Sequence, residues 1–373
     1  MVEATSDLLP SSCEGVDSKW VLVTTLDDDA LLSSLAHCSL SDFNSIALTS
    51  RAFRSFVKDK ALYQLRRANG IVEHLIFFSC RRSEWEAYDP NRNRWLSVPK
   101  LPPVNDCFCP EKNSLAVSTE LLVFGNAATP HLSYKFSILT NEWTCGRKMN
   151  TLRSLFGSAS LGEVAVVAGG CDRCEKKILS SAEIYNSESE TGEWRVIRSM
   201  NKARMMCSSV FMDGNFYVIG GIGEGSSGML TCGEVYDMKK KTWTLIPNML
   251  SETSSGGDQT KETFFAAPPI VAVVKDELYA ANYAQQEVRK YDKRCNVWNK
   301  VGNLPERASF MKGCGMAFRA CGDKLVVVKG PTFGRGLIEI SACVPREGES
   351  LHWRVLASKE TGNCVYNCAV MGC

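Results

Sequence analysis

From about position 72 onward the chain is a succession of short apolar runs separated by glycine, asparagine and other polar turn residues. In one stretch, 156–161 precedes 163–168, then Gly169-Gly170, a polar segment, 181–185, a short turn and 193–197. The next stretch repeats the order with 207–211, 215–219, Gly220-Gly221, 234–237 and 242–246. Runs this short, rich in β-branched and aromatic residues and broken by glycine, predict β-strands, four to a unit. Upstream, from Trp20 to about Arg67, the period becomes helical. Leu26, Leu31, Leu32 and Leu35 share one face, Phe43, Ile46, Ala47 and Phe53 continue it, and Val57, Leu62 and Leu65 mark a third short helix. Asp27 to Asp29 put carboxylates where a helix start favours them, and Ser41-Asp42 starts the second helix.

The strand units recur at a fixed period. Trp95, Trp143, Trp194, Trp243, Trp298 and Trp353 are spaced by 48, 51, 49, 55 and 55 residues. Tyr88, Phe136, Tyr236 and Tyr291 each stand seven residues before their tryptophan, and Tyr185 stands nine before Trp194. One supersecondary unit of roughly 50 residues is copied about six times, and four strands per unit make a propeller blade. The Gly-Gly, Tyr and Trp landmarks resemble the kelch repeat. The glycine pair ends the second strand where neighbouring chains crowd, and the Tyr and Trp rings fill the gap between blades. Elsewhere the pair is replaced by Gly125-Asn126, Ala281-Asn282 and Lys329-Gly330.

The expected fold is therefore mainly β, a six-bladed kelch β-propeller over 72–373 preceded by a small helical domain over 19–68. The first copy supplies three strands, and an unattached apolar strand, 365–371, follows the sixth tryptophan. Pairing this strand into blade one would close the ring and remove an exposed edge. Residues 1–18 are rich in Ser, Glu and Asp and carry neither a basic start nor an apolar core; they read as a disordered tail, not a signal peptide. No run approaches the 18 or so apolar residues of a membrane span, so no membrane association is expected.

A block of about 45 residues with three short helices is too small for a strong core and keeps an apolar face for a partner. Its residues, Leu26-Asp-Asp-Asp-Ala-Leu-Leu-Ser-Ser-Leu35, Ser50-Arg-Ala-Phe-Arg-Ser-Phe56 and Leu62-Tyr63, resemble an F-box, with Asp27 at the position usually held by proline and Phe53 at that of a late tryptophan. A three-helix F-box followed by a kelch ring is similar to the plant F-box/kelch-repeat proteins over essentially the whole chain. Runs such as Gly70-Ile-Val-Glu-His74, Glu287-Val-Arg-Lys-Tyr-Asp292 and Val365-Tyr-Asn-Cys-Ala-Val-Met-Gly-Cys373 resemble the Skp-interacting-partner type. The resemblance implies that Leu26, Asp28, Leu31, Leu32, Leu35 and Phe53 dock on a Skp-type adaptor, and through it a cullin-RING ubiquitin ligase, while the ring holds a target protein. The rival is a kelch scaffold outside any ligase, and Asp27 is its best argument.

Charge and cysteine usage bound the setting. With 43 basic against 41 acidic residues and a net charge of +2, no global field attracts nucleic acid. The 17 scattered cysteines are expected as reduced thiols in cytoplasm or nucleus. Cys171-x-x-Cys174 and Cys107-x-Cys109 invite zinc or redox readings, yet neither has a second ligand pair nearby and only His37, His74, His131 and His352 exist, so inert thiols and no metal or other cofactor are expected. Galactose-oxidase-type copper chemistry would need clustered His and Tyr ligands, and no phosphate loop or catalytic triad stands out; no catalysis is expected. Recognition is assigned to the loops 126–133, 171–180, 222–231, 331–336 and the insert 248–262, which share one face. Arg153 and Arg204 fall ten residues after their tryptophans and Arg307 nine after Trp298. With Arg335 and Lys176 they are the candidates for gripping an acidic or phosphorylated target; alternatively, the recurring arginines tie the blades by bonding backbone carbonyls.

Overall fold

The computed structural model describes residues 27–81, 84–102, 110–125, 133–172, 174–225, 228–250, 268–305, 316–331, 336–361, 365 and 367–373. The disordered-tail expectation for 1–18, Leu26, and the Cys107-x-Cys109 motif lie outside them. The chain divides into two compact units, Met1–Ile71 and Val72–Cys373.

The first unit holds four α-helices, α1 (Asp28–Ala36), α2 (Phe43–Thr49), α3 (Arg51–Lys58) and α4 (Lys60–Ala68), with a 3₁₀ turn at Leu40–Asp42. The sequence predicts three helices; the described residues form four, with a break at Ser50 inside the predicted second and at Asp59 inside the predicted third. Asp59 adopts an extended conformation and its side chain accepts the N–H of Ala61, ending α3 and capping α4. Ser50 separates α2 from α3 in the same way, its Oγ accepting the Phe53 N–H at 3.1 Å. Leu31, Leu35, Ala36, Leu40, Phe43, Val57, Leu62 and Tyr63 form the buried apolar set, in which the Phe43 and Tyr63 rings meet edge to face. Arg66 is fully buried among them, its guanidinium over Phe43 and its Nη1 donating to the carbonyls of Ala36 and Cys38.

The second unit is a six-bladed propeller of four-stranded antiparallel sheets. Blade 2 runs Pro110–Val117, Glu120–Gly125, Ser133–Ser137, Glu142–Cys145, and blade 3 runs Gly157–Leu161, Val164–Ala168, Ala182–Asn186, Arg195–Ile197. Blade 4 runs Ser208–Met212, Asn215–Ile219, Gly233–Asp237, Thr242–Ile246, and blade 5 runs Val271–Val274, Glu277–Asn282, Glu287–Asp292, Val297–Asn303. Blade 6 runs Met316–Cys321, Lys324–Lys329, Gly336–Cys343, Arg354–Thr361. Blade 1 takes His74–Arg81, Glu84–Asp89 and Arg94–Ser97 from the start of the ring, and its innermost strand, Asn367–Gly372, from the end.

Each blade covers its neighbour. Apolar clusters straddle the seams, such as Val210 and Met212 of blade 4 with Val271, Leu278 and Ala280 of blade 5. The tryptophans add a directed bond. Within a blade, Tyr236 packs at a tilt against Trp243 with ring centroids 5.0 Å apart, and Tyr291 against Trp298 at 5.1 Å. The indole N–H then reaches the chain leaving the previous blade, from Trp143 to Pro99 O at 2.7 Å, Trp298 to Met249 O at 2.8 Å and Trp353 to Asn303 O at 2.8 Å. A glycine is required at the second position of the pair: Gly170 and Gly221 have φ of 99° and 94°, and a Cβ there would sit 2.7 Å from Ser154 O and 2.6 Å from Met205 O.

Closure is a continuous antiparallel ladder from His74 opposite Gly372 to Ser79 opposite Asn367. Cys373 extends it, exchanging backbone bonds with Glu73 at 2.8 and 3.0 Å. The seam between blades 6 and 1 is filled by Ile76, Phe78, Val326, Val328, Ile340 and Cys368. Removing residues 364–373 takes away this strand, and the truncated protein is expected to lose its cooperative thermal transition; retention of the full-length transition in a calorimetric scan would contradict this closure. His74 lies half-buried at one end of the ladder beside the Gly322 turn, and burial, then Lys324, hold its pKa below the ordinary 6.5 against the pull of Asp323. The folded state thus prefers neutral imidazole. Its contribution to stability is present above pH 6.5 and is lost as pH falls through and below that value, with a slope of at most about 1.4 kcal/mol per pH unit. Denaturant titrations of His74→Gln and the parent protein between about pH 7.5 and 5.5 should show the flatter profile in the variant.

Candidate functional site

Two regions offer contact surface. In the helical unit α1 packs on α4 and α2 on α3. Leu31 and Leu35 are 7% and 4% exposed, so they belong to the unit's own core. The expectation that they meet a partner is corrected: a unit of four short helices has few apolar side chains to spare, and on α1 Leu31, Leu35 and Ala36 are spent on its interior. Asp28 is exposed in the first turn of α1, and Leu32 and Phe53 are half-buried. The residue the helical periodicity left out is Leu48, 77% exposed on the outer side of α2, where only Phe43 is buried. Ile46 and Ala47 beside it are half-buried, and Arg54 Nε fixes α3 to α2 through Ala47 O at 3.2 Å. The neighbours of Leu48 one turn back, Asn44 and Ser45, are exposed polar residues, so Leu48 stands out as a single large apolar side chain on that face.

On the ring, the recurring arginines turn inward. Arg153 and Arg204 have no exposed surface. Arg153 Nη1 donates to Gly169 O and Ser181 O, both at 2.9 Å, and its Nη2 to Glu183 Oε1 at 2.7 Å. Arg204 repeats this one blade later, with Gly220 O, Cys232 O and Glu234 Oε1 at 3.0, 3.0 and 2.7 Å. The second oxygen of each carboxylate holds the interblade linker: Glu183 Oε2 accepts from Asn150 N at 2.7 Å and Glu234 Oε2 from Asn201 N at 2.7 Å. Arg153 and Arg204 as target contacts are therefore corrected; they lock each linker onto the blade that follows it. Burial pushes the Glu183 carboxyl up, and the Arg153 charge with the Asn150 hydrogen bonds outweighs it, so the group stays below the usual carboxylate range. Burial lowers Arg153 in turn, with Glu183 opposing. Sequence reasoning missed both glutamates. The signal was present: each lies 30 residues after its arginine and two before a repeat tyrosine.

Lys176 is exposed, at the tip of a hairpin between Cys171–Asp172 and Lys177–Ile178 that projects from blade 3. Its left-handed backbone, φ 52°, follows a turn in which Asp172 Oδ1 accepts the N–H of Cys174 at 2.9 Å. Arg307, Arg335 and most of the loops 126–133, 248–262 and 331–336 lie outside the described residues. Among the described residues no group of three or more His, Cys, Asp or Glu could hold a metal, and no helix is long and apolar enough to cross a membrane.

Comparison with known proteins matches an F-box domain over residues 24–65 and the Kelch motif over 152–201 and 203–250. The latter are blades 3 and 4, which among the described residues are the two that keep the glycine pair and the Glu–Arg lock. The chain is 72% identical over 360 residues to F-box/kelch-repeat protein At1g74510 of Arabidopsis thaliana, covering 94% of this chain and 79% of that one. It is 48% identical to F-box/kelch-repeat protein At1g26930 (98% and 88% covered) and 50% identical to F-box/kelch-repeat protein SKIP11 (94% and 75%), both of Arabidopsis thaliana.

Removing one half of a buried pair leaves the other charge stranded, at a cost of about 3–5 kcal/mol. Arg204→Met should therefore destabilise the ring by that order, whereas Lys176→Met should leave its denaturant midpoint unchanged. Equal midpoints for Arg204→Met and the parent would remove the lock from the account.

Proposed function

The chain belongs to the F-box/kelch-repeat proteins, and we propose that it works as the substrate-recognition adaptor of a Skp-cullin-F-box ubiquitin ligase. Members of such a family act as non-catalytic adaptors, and the two-unit organisation suits the task. The helical unit docks on a Skp-type adaptor, the ring holds a target protein, and ubiquitin transfer is accelerated by proximity. Tethering raises the effective concentration of target lysines near the charged conjugating enzyme, and this needs no chemistry from the chain itself. A cytoplasmic or nuclear setting fits such a ligase.

The observation that carries the reading is the F-box match over 24–65, within which α2 leaves Leu48, a large apolar side chain, 77% exposed. An isolated exposed leucine is ordinary. One on the outer side of a helix in a unit matched as an F-box is the side chain whose loss most directly tests adaptor contact. Asp27, the best argument for a scaffold outside any ligase, keeps φ at −55° and ψ at 138°, backbone that proline would also adopt. The direction in which the chain enters α1 is thus the one a Leu-Pro start would impose.

Calorimetric titration of the full chain with a plant Skp-type adaptor tests the proposal. The parent protein should bind, and Leu48→Asp should weaken binding by about 1.5–3 kcal/mol, the value of burying a leucine, roughly ten- to a hundredfold. Far-ultraviolet circular dichroism of the variant should be unchanged, because Leu48 is outside the core. Absence of adaptor binding by the parent chain would leave a kelch scaffold.

A further inference from the structure

The innermost strands, which line the ring axis, are bridged across several seams by side chains. Ser160 Oγ of blade 3 donates to Ala116 O of blade 2, Ser208 Oγ of blade 4 to Pro269 O at the entry to blade 5, and Ser114 Oγ of blade 2 to Asn367 Oδ1 of the closing strand at 2.7 Å. Between blades 6 and 1 the bridge is Arg319, whose Nε donates to Cys368 O at 3.2 Å and whose Nη1 donates to Phe318 O at 3.0 Å. A hydroxyl suffices at those three seams. Here the chain places a full positive charge and five N–H donors, of which these bonds use two.

Register makes the choice unusual. At the position two residues before the last pair of the inner hairpin, blades 2 to 5 carry Leu115, Ala159, Val210 and Ala272, and blade 6 carries Arg319. Those four lie in or against the apolar interblade clusters. Arg319 stands half-buried between Ala317 and Cys321, both members of the cluster between blades 6 and 1. Arg153 and Arg204 are each matched by a buried glutamate; among the described residues no carboxylate is paired with Arg319. Its charge is felt by the Cys368 thiol and the Tyr283 hydroxyl, pulling both down against the burial that raises them.

A guanidinium held against two inner strands by backbone carbonyls, with donors left over and no counter-ion among the described residues, is a preorganised anion contact. We propose that Arg319 binds a carboxylate side chain of an acidic segment of the target protein inserted into the central channel. This deepens the adaptor reading and rests on it for the identity of the ligand as part of a target. It sets Arg319 in the place of Arg153 and Arg204, which the blades themselves consume.

The probe is a soluble hexaglutamate peptide, blocked at both ends, titrated into the full chain and into Arg319→Met and Arg319→Lys at fixed ionic strength. The expected result is saturable binding to the parent, weakened about tenfold or more in Arg319→Met and partly kept in Arg319→Lys. Equal binding by the parent and Arg319→Met, or no binding by the parent, would overturn the proposal. If Arg319→Met does not fold, the arginine Nε–H resonance of the parent chain, assigned through Arg319→Lys, is followed instead; it should move with the peptide. Movement with inorganic phosphate and not with the peptide would also overturn it, in favour of a free-anion site. Binding of the Skp-type adaptor, measured on the same preparations, is independent of Arg319. Its absence would sink the ligase reading alone, and loss of peptide binding with adaptor binding intact would sink the channel site alone.

Discussion

A four-stranded blade has two apolar faces and no interior of its own, so each sheet in this ring is stable only while both neighbours cover it. The seam clusters supply that cover, and the bonds from Trp143, Trp298 and Trp353 to the chain leaving the previous blade set the angle at which it is applied. The same constraint explains the placement of charge. The linkers that carry the chain from outer to inner strand would leave backbone groups unbonded, and Glu183 with Arg153 and Glu234 with Arg204 satisfy them from inside the protein. A buried ion pair of this kind adds little net stability and much geometric definition. That suits a ring whose loops must present a fixed surface.

The strands and the number of blades were legible because their signals are local: an apolar run, a turn, a tryptophan at a nearly constant interval. What the sequence obscured was which way a residue faces. Periodic recurrence of Arg153 and Arg204 looked like a surface feature, but a residue that recurs with the repeat is first of all a part the repeat needs. Arg319 carries the opposite signature, being the exception at a position where the other blades are apolar, and only strand register reveals it. In the helical unit the leucine periodicity of α1 pointed correctly to an apolar face. It could not show that Leu31 and Leu35 are consumed by the unit's own core, nor that Leu48, on a seven-residue helix, is left outside it.

The two units divide the labour. The helical unit is short and capped at α3 and α4 by Ser50 and Asp59, so its outer surface is presented on a firm base. The ring has rigid sheets and varied loops, the arrangement in which a surface can change its target without changing its fold. Only blades 3 and 4 match the Kelch motif. They carry the full set of framework residues, and the remaining blades keep the architecture with substituted landmarks, as Ala281-Asn282 and Lys329-Gly330 show.

The pairing of Asn367–Gly372 with His74–Arg81 has a consequence in time. The ribosome makes the recipient edge first and its partner last, with about 290 residues between them, which at about 5–20 residues per second is roughly 15 to 60 s of synthesis. Throughout that interval the emerging first sheet lacks its inner strand, and its apolar face, with Ile76 and Phe78, awaits blade 6. The first sheet is thus made with an open edge, and any protection it needs against pairing with other chains must last until the final strand emerges.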